Sequence, residues 1–280
     1  MSTAISRDGT RIGYTRTGSG PPVVLVDGAL CHRAFGPMTA VAKELAAAFS
    51  VYTYDRRGRG ESSNTPPFAP AREIEDLDAV IREAGGSACV CGVSSGAALS
   101  LDGAARGLPI ERLALYEPPF IVDDTRPPIT GADARQMQHY IDEREHGAAV
   151  AHFLRMVGVP RMGIMMMRLM PMWSKLKAVA PTLPNDLAFT VPRQAGQPLP
   201  RTEWASVTAP TVVIAGGKSP AWMRNSNAAL AEVIPGAAHQ LLPGQTHMVK
   251  AKVLAPFLAG FFRPAWGSAA GLGVRGVHGL

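Results

Sequence analysis

The sequence predicts an α/β protein built on a mostly parallel sheet, and three observations predict it. Short apolar runs alternate with helical stretches over residues 22–116. The same alternation resumes after Pro210. Between the two lies a long stretch with helical spacing, broken by prolines, that has no strong strand pattern.

Taken in order, strands are expected at 3–6 and 11–17, joined by the hairpin signal Asp8-Gly9-Thr10. Val23-Val24-Leu25-Val26 is a continuous apolar run, the mark of a strand buried on both faces. A helix over 37–49, a strand at 50–54, a helix over 70–84 and a strand at 88–93 follow. The next helix ends near Arg106, and a strand at 112–116 closes the first half. Strands that alternate with helices lie parallel, with right-handed crossovers. Helical stretches at 133–145, 148–157, 162–170 and 173–180 then form an insertion of about 85 residues, too long for a plain loop. Beyond it come a strand at 211–215, a helix over 222–233, a strand at 239–242 and a helix over 248–262. The Gly-rich residues after 263 read as a flexible tail that includes His278.

Bulk properties exclude several classes. The net charge is +6, but the basic residues are scattered, with Arg56, Arg57 and Arg59 in one turn and Arg155, Arg161 and Arg168 farther on. No basic stripe interleaves with aromatics, so a solvated basic surface is expected rather than nucleic-acid binding. No apolar run approaches the roughly 18 residues of a membrane span, and residues 1–8 lack the order of a signal peptide. Cys31, Cys89 and Cys91 fit free thiols in a reducing compartment, so a cytoplasmic location is expected. No metal or other cofactor is expected.

The chemistry centres on Gly92-Val93-Ser94-Ser95-Gly96, set between an apolar strand and an Ala-rich helix. A serine at the apex of so tight a turn needs neighbours without a bulky Cβ. The turn lifts its hydroxyl out of the sheet and aims the first amides of the next helix at whatever binds there. A serine alcohol also needs a base within hydrogen-bond reach. Of the histidines, His139, His146 and His152 fall on helices of the insertion, His32 follows the first parallel strand and His239 starts the last. His247 is the base expected, because Pro243-Gly244-Gln245-Thr246-His247 is a loop at the C-terminal end of a parallel strand, where such sheets bind ligands.

Four landmarks now stand in order: Val23-Val24-Leu25-Val26-Asp27-Gly28, Tyr54-Asp55-Arg56-Arg57-Gly58-Arg59-Gly60-Glu61-Ser62, Gly92-Val93-Ser94-Ser95-Gly96 and Gly244-Gln245-Thr246-His247. Together they resemble the α/β-hydrolase fold over about residues 10–262. The resemblance implies an eight-stranded, mostly parallel sheet flanked by helices, with a helical cap after the sixth strand. It divides the chain into a core of 1–119 and 206–263, a cap of 120–205 and a tail of 264–280. It also implies a Ser–His–acid triad and an oxyanion hole. Two fixed donors are needed there, and losing one costs roughly 3–4 kcal/mol. They are expected from the N–H groups of Ser95 and Ala29. Asp27 stands where many family members carry His.

The acid departs from the usual pattern. After the strand that follows the cap, where family members carry Asp, this chain has Ser219, preceded by Lys218. Some relatives, certain haloalkane dehalogenases among them, carry the acid at the end of the preceding strand, and Glu117 occupies that position here. Asp123, Asp124 and a dyad without an acid are the alternatives. Asp55 is expected to fix its own turn by pairing with the arginines beside it.

Seven of the 12 methionines fall within residues 156–172, which reads either as cap-on-core packing or as an adaptable wall over an acyl or alkyl pocket. Ser94, His247 and Glu117, with the resemblance, imply a serine hydrolase that cleaves a carboxylic ester of a small to medium apolar substrate through an acyl-enzyme. Thioesters, lactones and carbon–carbon bonds of diketones are open to the same triad. A lyase- or cyclase-type tailoring enzyme and a receptor-like ligand-binding protein are rival uses of the same frame.

Overall fold

A computed structural model describes residues 2–263. The strands are β1 (Ser2–Ile5), β2 (Arg11–Thr17), β3 (Pro22–Val26), β4 (Ser50–Tyr54), β5 (Ala88–Val93), β6 (Ile110–Tyr116), β7 (Thr211–Gly216) and β8 (Ala238–Leu242). They form one eight-stranded sheet in the order β1-β2-β4-β3-β5-β6-β7-β8. The β1–β2 and β2–β4 pairings are antiparallel, and every later pairing is parallel.

The sheet is buried on both faces, as the unbroken apolar runs require. On one face Val23, Leu25, Cys89, Cys91 and Tyr116 pack against α1 (Pro37–Leu45) and α10 (Ala251–Phe261). On the other, Val24, Val26, Val90, Leu113 and Leu115 meet α2 (Pro70–Glu83), α3 (Ser95–Ala105) and α9 (Ala221–Val233). The period-two alternation along each strand assigns its side chains to the two layers. Each fully buried Val or Leu contributes about 1.5–3 kcal/mol.

Between β6 and β7 the chain builds five helices: α4 (Gly131–Asp142), α5 (His146–Met156), α6 (Arg161–Arg168), α7 (Met172–Val179) and α8 (Leu183–Thr190). Thr130 and Asp133 form a capping box that starts α4. The helical insertion has its own apolar cluster, with Met137, Val150, Trp173, Leu176 and Leu187 among its members. Leu30, from the loop after β3, is buried in that same cluster. Insertion and sheet therefore meet at the loop after β3.

The structure departs from the sequence expectations in three places. The segment 183–190, expected as no particular element, is α8, a helix started by Pro184 in its first turn. Helix α10 starts at Ala251 rather than at residue 248, leaving His247 and Met248 in the preceding loop. The methionine-rich stretch is not chiefly core, because Ile164 is the buried residue of α6 while Met162, Met165, Met166 and Met170 are exposed. The tail expected at 264–280, with His278, lies outside the described residues.

Candidate active site

Ser94 sits between β5 and α3 with φ 56° and ψ −125°. That left-handed backbone is strained for a residue with a Cβ, a cost of order 1–3 kcal/mol. The neighbouring glycines allow it. A Cβ on Gly92 would lie 2.6 Å from the Ala97 Cα, and one on Gly96 would lie 2.5 Å from the Asp27 and Val26 carbonyl oxygens. The Ser94 N–H donates to the Tyr116 carbonyl at 2.9 Å, and its carbonyl accepts from the Ala97 and Ala98 N–H groups. Gly28 abuts the serine, since a Cβ there would stand 3.0 Å from the Ser94 Cβ and 3.6 Å from its Oγ.

His247 lies in the loop after β8, half-exposed. The Tyr116 hydroxyl donates to the Thr246 carbonyl at 2.6 Å, and Lys218 N–H donates to the Gln245 carbonyl at 2.8 Å. The His247 Nδ1 is 2.8 Å from Glu117 Oε2. Glu117 is fully buried at the end of β6, with φ 47°. Its other oxygen, Oε1, accepts the Gly216 N–H at 2.7 Å. Both carboxylate oxygens are thus partnered, which a buried charge requires. With a carboxylate facing Nδ1, that nitrogen carries the imidazole proton and Nε2 is the free acceptor.

Ser219 stands after β7, in the position expected for the family's usual acid. It is buried, and its hydroxyl has no hydrogen-bond partner among the described residues. Lys218 beside it is exposed. Asp123 bonds Thr125 and Asn225, and Asp124 is exposed. Of these candidates only Glu117 is bonded to His247.

Ala29 follows Gly28, which abuts Ser94, and Ser95 follows the serine directly. Ser95 is the first residue of α3, so its N–H is one of the donors a helix leaves without an internal partner. The Ala29 N–H donates to no group among the described residues. The carbonyl of the same peptide, Gly28 O, accepts from Arg59 Nη1 at 2.7 Å. That bond fixes the plane of the peptide and turns its N–H to the opposite side.

Arg59 belongs to a buried charge network that sequence reasoning missed. Arg56, Arg57 and Arg59 were expected on a solvated surface, yet all three are fully buried. They are buried because acids from other elements meet them. Arg57 pairs with Asp76 of α2 at 2.7 Å, and Arg56 pairs with Glu73 of α2 at 2.5 Å. Asp186 of α8 accepts from Arg56 at 2.6 Å, from Arg59 at 2.7 Å and from the Ser95 hydroxyl at 2.6 Å. Burial pushes the Asp186 carboxyl up, but Arg59 and Arg56 outweigh it and hold it below its usual range. Asp55 does not pair with these arginines, contrary to expectation. It accepts from Arg33 at 3.0 Å and from the Glu61 N–H at 2.9 Å, and only Gly60 fits against its carboxylate. One signal for the network was present: Asp186 is the only acidic residue between Glu145 and Glu203.

Asp27, in the usual histidine position, lies beneath the β3–α1 loop and accepts the Met38 N–H at the start of α1 at 3.4 Å. Burial pushes its carboxyl up to about 7. Cys31, Cys89 and Cys91 are free thiols. Among the described residues no cluster of His, Cys, Asp and Glu could hold a metal ion, and no helix is long and apolar enough to cross a membrane.

No curated protein matches this chain. An alpha/beta hydrolase from Sphaerobacter thermophilus DSM 20745 is 48% identical, with a TM-score of 0.85, covering 94% of this chain and 100% of its own. At lower identity the fold is shared with the enol-lactonase from Burkholderia xenovorans LB400 (21%, TM-score 0.65, 93% and 99% covered). It is also shared with a thermophilic esterase from Thermogutta terrifontis (20%, TM-score 0.60, 94% and 99% covered). The sequence model of the alpha/beta hydrolase family matches residues 20–251, and with the sheet order and the Sphaerobacter likeness this places the chain in that family.

Proposed function

We propose that this protein is a serine hydrolase that cleaves a carboxylic ester of a small to medium apolar substrate through an acyl-enzyme. The observation that carries the reading is the 2.8 Å bond between His247 Nδ1 and the buried Glu117, with Ser94 strained on its turn at the same rim of the sheet. Ser94 Oγ attacks the ester carbonyl while His247 Nε2 takes its proton. Glu117 holds the imidazole in the required tautomer and stabilises the imidazolium that forms. The oxyanion develops between the Ser95 and Ala29 N–H groups. His247 returns the proton to the leaving alcohol, and water then attacks the acyl-enzyme with His247 again as base. Residues 1–119 and 206–263 act as the catalytic core in this reading, and 120–205 as the cap. The three free thiols fit a cytoplasmic setting.

A fluorophosphonate probe tests the nucleophile. The wild type is expected to be labelled and Ser94→Ala not. Equal labelling of both removes Ser94 from the role. A panel of p-nitrophenyl esters of increasing acyl length tests the reaction class. Turnover that requires Ser94 supports hydrolysis, and labelling without turnover of any ester points to the non-hydrolytic use of the frame.

A further inference from the structure

Helix α6 has one fully buried side chain, Ile164, with Met167 half-buried against the same apolar cluster. Most of its remaining surface faces out. Met162, Met165 and Met166 are 64%, 58% and 62% exposed, and Leu169 and Met170, just past its end, are 87% and 50% exposed. Five large apolar side chains on little more than two helical turns make an exposed patch of the kind that marks an interaction site. The patch is not an accident of a loosely folded segment, because α6 packs on α5 and α7 and Ile164 belongs to the insertion's apolar cluster.

The charge around the patch is of one sign. Arg155, Arg161 and Arg168 line an open groove of about 260 Å³ together with Ile164 and Met165. None of the three arginines has an ion-pair partner among the described residues, although Arg168 stands 5.7 Å from the Trp173 ring centroid. Residues 146–185 carry five Lys and Arg and no Asp or Glu. Arg161, Met165 and Arg168 form one stripe along the helix, and Met162, Met166 and Leu169 form the next. The basic and apolar groups are therefore interleaved on one outward face.

We propose that this face docks on an anionic lipid surface. The Met and Leu side chains enter the headgroup–acyl boundary, and the arginines take lipid phosphates at its edge. A second copy of the chain fits the face poorly, because a two-fold contact sets each arginine cluster against its twin. Helix α7, which packs on α6, reaches the loop after β3. Lys175 of α7 stands 5.8 Å from the Phe35 ring in the loop after β3, and Leu30 of that loop shares the apolar cluster with Ile164. A bilayer bound at α6 would thus lie one helix away from the loop that carries Ala29. The docking goes beyond the proposed hydrolysis and does not depend on it.

The test is co-sedimentation of the full chain with phosphatidylcholine vesicles that carry phosphatidylglycerol, against vesicles of phosphatidylcholine alone. Binding to the anionic vesicles is expected to be about tenfold tighter or more, and to weaken with added salt. Arg161→Gln with Arg168→Gln should remove most of the preference for anionic lipid. Met166→Ser with Leu169→Ser should weaken binding to both vesicle types. These positions are exposed, so both variants should keep wild-type melting and wild-type hydrolysis of any water-soluble ester the protein turns over. No binding to either vesicle overturns the proposal, as does binding that both variants leave intact. A concentration-dependent dimer that the Met166/Leu169 variant breaks, without vesicle binding, overturns it in favour of a second copy.

Discussion

The rim of the sheet and the outer face of α6 are built on opposite principles. At the rim the groups that position the site are held in place. Glu117 has both oxygens bonded, the Gly28 carbonyl is held by Arg59, and Gly92 and Gly96 sit where no side chain fits. On α6 the arginines have no ionic partner among the described residues, and Met162, Met165 and Met166 face outward. The contrast teaches where this molecule keeps a fixed geometry and where it keeps an adaptable surface. Proton transfer needs atoms held to fractions of an ångström, whereas a docking face needs only area and charge.

Substitutions can break or sharpen that contrast. The largest effect is expected at Ser94. Ser94→Ala should lower ester turnover by about a thousandfold or more with little change in melting temperature, checked by initial rates and thermal denaturation. A stable, active Ser94→Ala would end the idea that the rim is the site. Gly92→Ala should instead act on folding. The new Cβ meets the backbone of α3 at 2.6 Å, so a loss of several kcal/mol in denaturant titration is expected.

Arg59→Lys sharpens the account of the rim. A lysine cannot hold the Gly28 carbonyl, Asp186 and Thr182 at once, as the guanidinium does. We expect kcat to fall about tenfold while KM changes little, because the Ala29 donor is less well aimed at the transition state. A rise in KM with kcat unchanged would contradict that role.

The smallest effect is on stability against pH. Burial holds the Asp27 carboxyl at about 7, above its ordinary 3.8. The folded protein therefore keeps a proton between those values that the unfolded chain has lost. Stability from this group is present at low pH and is lost as pH rises from about 4 to about 7. Asp27→Asn should flatten that part of the profile in urea titrations across this range. An unchanged slope would mean that Asp27 is ionised in the fold.

Much of this was legible in the sequence, and the parts that were not share a cause. The strands could be read because buried parallel strands are continuous apolar runs, as in 23–26 and 88–93. The places of Ser94 and Glu117 could be read because each directly follows a strand, and that of His247 because its loop follows one. The burial of Arg56, Arg57 and Arg59 could not be read. A charged residue is buried only when a partner from elsewhere in the chain meets it, and Asp186 arrives from about 130 positions away on a helix with a weak signal of its own. The orientation of the methionines was equally hidden. Helical spacing says that they share a face, but only the fold decides whether that face looks inward.

The most direct test sets Glu117 against Ser219. Steady-state rates on a soluble ester should fall about a hundredfold in kcat for Glu117→Gln, which loses the charge facing His247 Nδ1. Ser219→Ala should stay near wild type, since its hydroxyl bonds nothing among the described residues. Equal, small effects from the two substitutions would contradict the assignment of Glu117 as the partner of His247.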